Sequence, residues 1–406
     1  MPSATVRHLG TFRSIRSRDG SLRGQRTVLS AGANGAGRSV LVVLHGEAVG
    51  GASLSIMRLA PGLEAHGWRL TFWAPQPSAL FDELRARGLT SYGAPRPVQG
   101  YSWAALRTPP GPLARISRAP AYFAGLRRLI REMRPAVLHA NSLYSLLEAG
   151  LARSLGVPTV LHVHEMVRDN PKGGMARWLA HAVNDVVLGV SKAGAASLST
   201  TRARAGIVYE GVTIPPNVPE RVGRGPKTVV GSIGVVARRK GIDVLVEAAR
   251  MVREQTRDVE FRLVGAPDDP LERRWAERVL KELAPAGIAH ECRADVPTRL
   301  AQWDLFALPS RTDPFPLVVL EAMASGLPVI GTRVDGIAEQ VTPEVGRLVE
   351  PDDAAGLAAA ILELHADPPL RQRLGAAARA RVEREFPLER QIAGISEAYL
   401  TAASGR

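Results

Sequence analysis

The 406-residue chain holds one cysteine, Cys292, which rules out an internal disulfide and suits a reducing compartment. Long apolar runs are missing as well. The longest, such as 40–44 and 186–190, have strand length, far short of the ~20 residues a membrane-spanning helix needs. Lysine is scarce: only Lys172, Lys192, Lys227, Lys240 and Lys281 stand among the 52 basic residues. The formal net charge of +13 therefore rests on arginine. Genome base composition explains such a bias, and so does attraction to nucleotide phosphates, acidic lipid headgroups or nucleic acid. Residues 1–38 carry seven arginines against one acid, Asp19, and no apolar segment. They lack the apolar core of a secretory signal and read as a flexible basic tail, or as an over-extended start of the reading frame.

What is present suits a soluble globular protein: 45% hydrophobic and 22% charged residues, over a length that predicts two domains. Short β-branched runs alternate with longer Ala/Leu/Arg segments, the pattern of a parallel sheet covered by helices. Strands are expected at 40–45, 69–74, 136–140, 159–164 and 185–190, and again at 229–233, 259–264, 305–308 and 329–331. Helices are expected at 52–65, 120–133 and 145–154, then at 242–254, 271–283, 318–324 and 354–365. Proline and glycine crowd 212–226, as in an interdomain linker. The expected order is a tail (1–38), an N-terminal domain (39–212), a linker (213–226), a C-terminal domain (227–385) and a closing helix (386–406) that packs back on the first domain. Each domain is a doubly wound α/β unit, with ligands expected beyond the carboxyl ends of the strands.

Three regions carry candidate chemistry. The Gly-rich segment 32–39 nearly matches a phosphate-binding loop, with Arg38 in place of lysine. It precedes a strand instead of following one, so it reads as a lead-in. The first strand runs into 46–51, where Gly50 and Gly51 precede a helix. Paired glycines there suit either a tight turn or close backbone approach to a ligand. His139 and His164 stand at strand ends, facing the expected cleft, and His162 points the same way as His164. In the second half, Arg238, Arg239 and Lys240 lie in the turn before a helix that starts at Ile242. Helix dipole and side-chain cations there favour a diphosphate, unless the turn is merely a solvated basic one.

The strongest signal is 308–321. A strand ends at Leu308, a polar loop follows, and a helix begins near Pro316. Asp313 lies just before that helix; Glu321 lies inside it among apolar neighbours, a position that demands partners if it is buried. Sugar hydroxyls would supply them; the plainer alternative is a capping aspartate and an ordinary helix glutamate.

With Phe315, the Pro-Ser strand end and the run 320–329, this spacing resembles the Glu-x7-Glu element of the family-4 retaining glycosyltransferases (glycosyltransferase group 1). The resemblance runs from about Val40 to about Tyr399, through Gly50, Gly51, His139, His164, Lys192, Lys240, Gly241, 335–339 and 346–351. It implies the GT-B fold, two Rossmann-like domains facing a central cleft. It implies that Glu321 binds the ribose hydroxyls and Asp313 the donor sugar. Backbone N–H groups after Phe315, at Leu317 and Val318, are expected to meet the sugar or its phosphate, while Pro316 lies in the same donor segment without an N–H of its own. Lys240 binds the diphosphate, Gly51 lies against the donor, and Arg293 belongs to the base-binding loop. Departures are Val235 where an arginine is usual, a role Arg238 or Arg239 can take over; Asp313, one methylene short; Pro316 in place of glycine; and Glu210 in place of asparagine before Gly211.

The implied chemistry is retaining, metal-independent transfer of a hexose-type sugar from a UDP- or GDP-sugar, by front-face attack, with His164 orienting the sugar. No cofactor, metal or nucleic acid is implied. The acceptor is a glycan, a lipid-linked sugar or a small molecule, in cell-envelope or polysaccharide synthesis. It is expected on the N-terminal domain near His139, Tyr101 and Trp103. Aromatics and arginines interleave over 101–134, as suits either an anionic membrane surface or a loop with a solvated amphipathic helix. The expected location is the cytoplasm, with peripheral contact at the inner face of the membrane in the first case. Rival readings are a nucleotide-sugar epimerase, a phosphorylase, a basic nucleic-acid-binding module and an NAD-dependent dehydrogenase. The last lacks its Gly-x-Gly-x-x-Gly spacing at 46–51.

Overall fold

The computed structural model describes residues 37–94, 112–201, 203–218, 227–267 and 269–405. Tyr101 and Trp103, nearly all of the basic tail and most of the linker lie outside them. The first half forms a seven-stranded parallel sheet: β1 (Arg38–Val43), β2 (Trp68–Pro75), β3 (Ser91–Ala94), β4 (Val137–Ala140), β5 (Thr159–Val163), β6 (Val186–Gly189) and β7 (Gly206–Ile207). Its spatial order is β3-β2-β1-β4-β5-β6-β7. The second half forms a six-stranded parallel sheet: β8 (Thr228–Ile233), β9 (Val259–Val264), β10 (Ile288–Glu291), β11 (Leu305–Leu308), β12 (Val329–Thr332) and β13 (Gly346–Val349). Its order is β10-β9-β8-β11-β12-β13. Each sheet reverses direction between its first and fourth strands, which opens a crevice at their carboxyl ends. In the first sheet the crevice lies beyond β1 and β4; in the second, beyond β8 and β11.

The sheets form because their central strands are apolar on both faces. Val40, Leu41, Val42 and Val43 of β1 are fully buried, as are Leu305, Phe306, Ala307 and Leu308 of β11. Such strands need cover on both sides, and the intervening helices supply it. Those two runs were readable in advance. β3, β7, β10 and β13 were not read as strands. All four are sheet edges. An edge strand has one neighbour and thinner cover, so sequences such as those of β10 and β13 carry no continuous apolar run.

The chain crosses between the two halves twice, side by side. Val212 pairs with Pro387, its N–H donating to Phe386 O and its carbonyl accepting from Leu388 N–H. The closing helix Leu388–Ser404 then packs on the first sheet's side. Ile392, Ile395, Tyr399 and Ala402 join the core cluster of Ile56, Leu59, Leu63, Trp68 and Phe72. Trp68 donates its indole N–H to Ser396 at 2.9 Å, and its ring meets Tyr399 edge-on at 5.2 Å. The last residues of the chain thus complete the core of the first domain.

The helix Pro112–Met133 covers most of the described part of 101–134. Tyr122 is 1% exposed and donates to Glu148, and its ring lies between Trp73 and Phe123. Arg127, Arg128 and Arg131 are exposed. The described aromatics therefore face the core, while these three arginines are exposed. No helix among the described residues is long and apolar enough to cross a membrane.

Tyr399→Ala would empty a fully buried aromatic site. A loss of about 3–5 kcal/mol is expected, read as a lower denaturant midpoint for the first domain; an unchanged midpoint would contradict this role for the closing helix.

Candidate functional site

The second sheet builds its half of the site from the loops after β8 and β11. Past β8 the chain makes a 3-10 turn, Arg238–Lys240, and reaches Gly241 before the helix Ile242–Gln255. Gly241 has φ +64°, and a Cβ there would lie 1.9 Å from Pro309 O. Only glycine accepts both that backbone and that approach. The tight contact seats Lys240 against the second loop. Its side chain is 9% exposed and its ammonium lies 2.5 Å from Asp313 Oδ2, whose side chain is 8% exposed.

Asp313 is held by its own backbone too. Asp335 accepts from Asp313 N–H at 2.9 Å and from the Thr312 hydroxyl at 2.6 Å. Asp335 has φ +39°, an uncommon conformation for a residue with a side chain, at the point where it fixes the loop. Arg311 clamps the same loop to the neighbouring helix. Its guanidinium reaches both oxygens of Asp243 at 2.9 and 2.8 Å, Asp352 at 2.6 Å and Arg238 O at 2.6 Å.

The helix Leu317–Ala324 starts from Pro316, whose carbonyl accepts from Gln340 Nε2 at 3.1 Å. Leu317 and Val318 are half-buried in its first turn, where N–H groups have no intrahelical partner. Glu321 follows one turn on. Its carboxylate meets Arg58 from the first domain at 2.8 Å, with side chains 19% and 33% exposed. Arg58 sits inside the helix Gly51–Ala65. A single arginine in an apolar helix gave no advance signal of this contact. Gly51 opens that helix, and nothing lies within 4 Å of where its Cβ would be.

Phe315, Arg238, Arg239 and Arg293 were also expected near the donor. The Phe315 ring is 5% exposed and packs against Tyr209 and Phe386 at the junction of the halves. The Arg238 guanidinium lies over Trp275, 5.5 Å from its centre, drawn to the far helix. Arg239 is exposed and contributes its carbonyl to the loop, accepting from Arg311 N–H at 2.7 Å. Arg293 is exposed in the loop beyond β10.

His139 was expected at the cleft as an acceptor contact, and the structure corrects that. It is fully buried inside β4, with Nδ1 2.8 Å from the Tyr399 hydroxyl and Nε2 3.2 Å from Asn141 Oδ1. Burial holds its pKa down at about 3, with the neighbouring His164 a smaller contribution. His139 is a structural residue because β4 is covered by the closing helix, which sequence order does not reveal. His162 is likewise buried, and burial pushes its pKa well down.

His164 sits just beyond β5 with its side chain 11% exposed, close to His162 at 4.4 Å between rings. Nδ1 lies 2.9 Å from Glu210 and Nε2 3.3 Å from Asn141 Oδ1. His162, His164 and Glu210 bring two imidazoles and a carboxylate within 4.8 Å of one another, the one such trio among the described residues. His164 and Glu210 pair with each other, whereas His162 makes no hydrogen bond to either.

The two halves also meet through Glu339. Its carboxylate accepts from the N–H groups of Lys192 and Ala193 at 3.0 and 2.9 Å, and from the Tyr209 hydroxyl at 2.8 Å. Burial and the adjacent Glu339 push the Tyr209 phenol up.

Two outcomes test this geometry. Gly241→Ala should cost about 1–3 kcal/mol and displace Lys240, seen as lower thermal stability with weaker nucleotide binding. Buried neutral His139 resists protonation, whereas the unfolded chain protonates it below its ordinary value of 6.5. Stability should therefore fall as pH drops below that value, by up to about 1.4 kcal/mol per unit for this one group. Urea midpoints measured against pH should show a shallower fall in His139→Gln; an identical slope would contradict the assignment.

Known proteins bear on this arrangement. Residues 49–214 match the family model described as Glycosyltransferase Family 4, and residues 227–367 match Glycosyl transferases group 1. A GDP-mannose-dependent monoacylated alpha-(1-6)-phosphatidylinositol monomannoside mannosyltransferase of Corynebacterium glutamicum is 36% identical over 159 residues, 37% of this chain and 41% of that one. The chain thus spans less than half the length of that relative. A glycogen synthase of Mycobacterium tuberculosis is 25% identical over 296 residues, 68% of this chain and 71% of its own. Among solved structures, Anabaena HepE in complex with UDP and glucose superposes with TM-score 0.75 at 20% identity, covering 89% of this chain and 99% of that one. That likeness shows the two-domain GT-B fold. With a family-4 match over the first half and a group 1 match over the second, the chain belongs to the family-4, group 1 glycosyltransferases.

Proposed function

We propose that the chain transfers a hexose-type sugar from a nucleoside-diphosphate sugar, with UDP and GDP as the candidate bases, to a glycan, lipid-linked or small-molecule acceptor, with retention and without a metal. The observation that carries this reading is the buried Lys240–Asp313 pair beside Glu321, at the crevice beyond β8 and β11. In such a site Lys240 would meet the diphosphate, Asp313 the sugar hydroxyls and Glu321 the ribose. Leu317 and Val318 would add backbone N–H groups at the positive end of their helix.

The reaction breaks the bond between the anomeric carbon and the diphosphate oxygen. The acceptor oxygen forms the new bond on the same face, and its proton passes to the departing phosphate. Positive charge at Lys240 and the helix end opposes the negative charge that develops on the leaving group. His164, from the opposite half, would orient the sugar, and Gly51 would leave room for the donor. Arg58 would have to release Glu321 for ribose to bind. The relatives named above, one GDP-mannose-dependent, and the UDP-bound HepE support a nucleotide-sugar donor.

The test is a thermal-shift screen of UDP-, GDP- and ADP-sugars. One class should stabilise the protein, and Glu321→Gln should weaken that donor by roughly 10- to 100-fold, the loss of hydrogen bonds to a charged group. Equal stabilisation of wild type and variant by every donor would sink the reading. Arg58→Ala removes a partly exposed competing pair worth about 1 kcal/mol at most. It should tighten donor binding by up to about fivefold in the same titration.

A further inference from the structure

His162 is 1% exposed, and both of its ring nitrogens are buried without a hydrogen-bond partner. The Val208 backbone approaches the ring without reaching hydrogen-bond geometry. Buried polar groups are paired as a rule, so an orphaned imidazole calls for a ligand. One nitrogen of His162 lies within 4.8 Å of a nitrogen of His164 and of a carboxylate oxygen of Glu210. The two histidines meet there because residues two apart along a strand share a face, and β5 delivers both to its carboxyl end. Glu210, 2% exposed, arrives from the segment after β7.

The remaining atoms of the trio are held from behind. Glu210 Oε2 accepts from Gln391 Nε2 at 2.8 Å and from the Ser55 hydroxyl, and Gln391 is itself fixed by Gly211 N–H, which donates to its Oε1 at 2.8 Å. His164 Nε2 lies 3.3 Å from Asn141 Oδ1, and Asn141 is oriented by donating to Ala52 O at 3.0 Å. Glu210 Oε1 and His164 Nδ1 are left facing each other at 2.9 Å, beside His162. Outer partners of this kind orient the ligands of metal sites. Burial holds His162 toward the neutral form, the form that ligates. Two neighbours are already taken up: His139 by Tyr399 and Asn141, and Glu165 by the Ser142 hydroxyl and the backbone N–H of His164.

We propose that His162, His164 and Glu210 form a binding site for a divalent transition metal of the zinc class, and that the bound metal withdraws His164 from the donor sugar. Two imidazoles and one carboxylate are a ligand set that zinc accepts, with a fourth position left for water or another ligand. Magnesium and calcium take oxygen ligands and are disfavoured by the imidazoles. Bonds of about 2 Å to a tetrahedral ion set ligand atoms roughly 3.3 Å apart, so His164 and Glu210 open slightly and His162 closes in. Entry is from the side of His164, whose side chain is 11% exposed while the other two are sealed. Glu210 is the one acidic side chain of the set, and the asparagine usual at that place in the family would supply no carboxylate. The competition with the sugar rests on His164 facing the donor, as in the proposed function; the metal site itself does not.

The test uses the full-length, untagged protein, stripped of metal and titrated with zinc chloride against a chromophoric chelator. One equivalent should bind. His162→Leu removes a ligand and leaves no unpaired nitrogen behind. It should weaken zinc binding by about 100-fold or more, since loss of outer partners alone costs about 10- to 100-fold. Cobalt in place of zinc should show the visible bands of a nitrogen- and oxygen-ligated ion; a thiolate band would assign the metal to Cys292 and overturn the proposal. Equal zinc affinity in wild type and His162→Leu, both folded by circular dichroism, overturns it too, as does the absence of a one-equivalent step. Should His162→Leu not fold, Glu210→Gln serves, and an unchanged affinity there is equally decisive. Added zinc should weaken binding of UDP-glucose or GDP-mannose to wild type and leave His162→Leu unaffected. Zinc bound with donor affinity untouched overturns the competition with the sugar. Zinc binding is read without donor, so a failure of donor binding speaks against the proposed function and not against the site.

Discussion

A carboxylate taken out of water must be met by donors or cations, and this molecule is arranged around four that are. Asp313 is met by Lys240, Glu321 by Arg58, Glu210 by His164, Ser55 and Gln391, and Glu339 by two backbone N–H groups and a phenol. Each of the last three is contacted from a segment distant in the chain. These pairings hold the loops after β8 and β11 in place and join the halves across the crevice. Leaving Asp313 or Glu210 unpaired in its buried setting would cost more than its pairing contributes.

The four are not equivalent. Lys240–Asp313 is nearly sealed, so its loss would disturb the loop itself. Arg58–Glu321 is partly exposed, and water and salt screen it. The weak pair is thus the one that spans the cleft, where a ligand must compete, and the strong pair lies within one domain, where geometry must be kept. Arg311 and Asp335 do the keeping: one ties the loop to the neighbouring helix, the other bonds the backbone of Asp313 itself.

The histidines show how position in the sheet decides chemistry. His139, His162 and His164 lie within a few ångströms of one another, yet burial drives the first two toward the neutral form. His164, one residue past the end of β5, meets a carboxylate. From the sequence, His139 and His164 looked alike, both at strand ends. The difference comes from the closing helix, which returns across the first domain and covers β4 with Tyr399.

By itself the sequence determined the two α/β halves, their central strands and the motif from Asp313 to Glu321. Those features follow from local apolar runs, turn residues and spacing, which short stretches of chain carry on their own. The edge strands β3, β7, β10 and β13 escaped, because strands with thin cover need no apolar run. Phe315 and Arg238 also read as site residues, and only packing turned one ring into the domain junction and the other side chain onto Trp275. Arg58 against Glu321, and Glu210 against His164, join positions far apart in the chain. Tertiary structure alone decided them, because a charge finds its partner by where the backbone has been folded and not by what stands beside it in sequence.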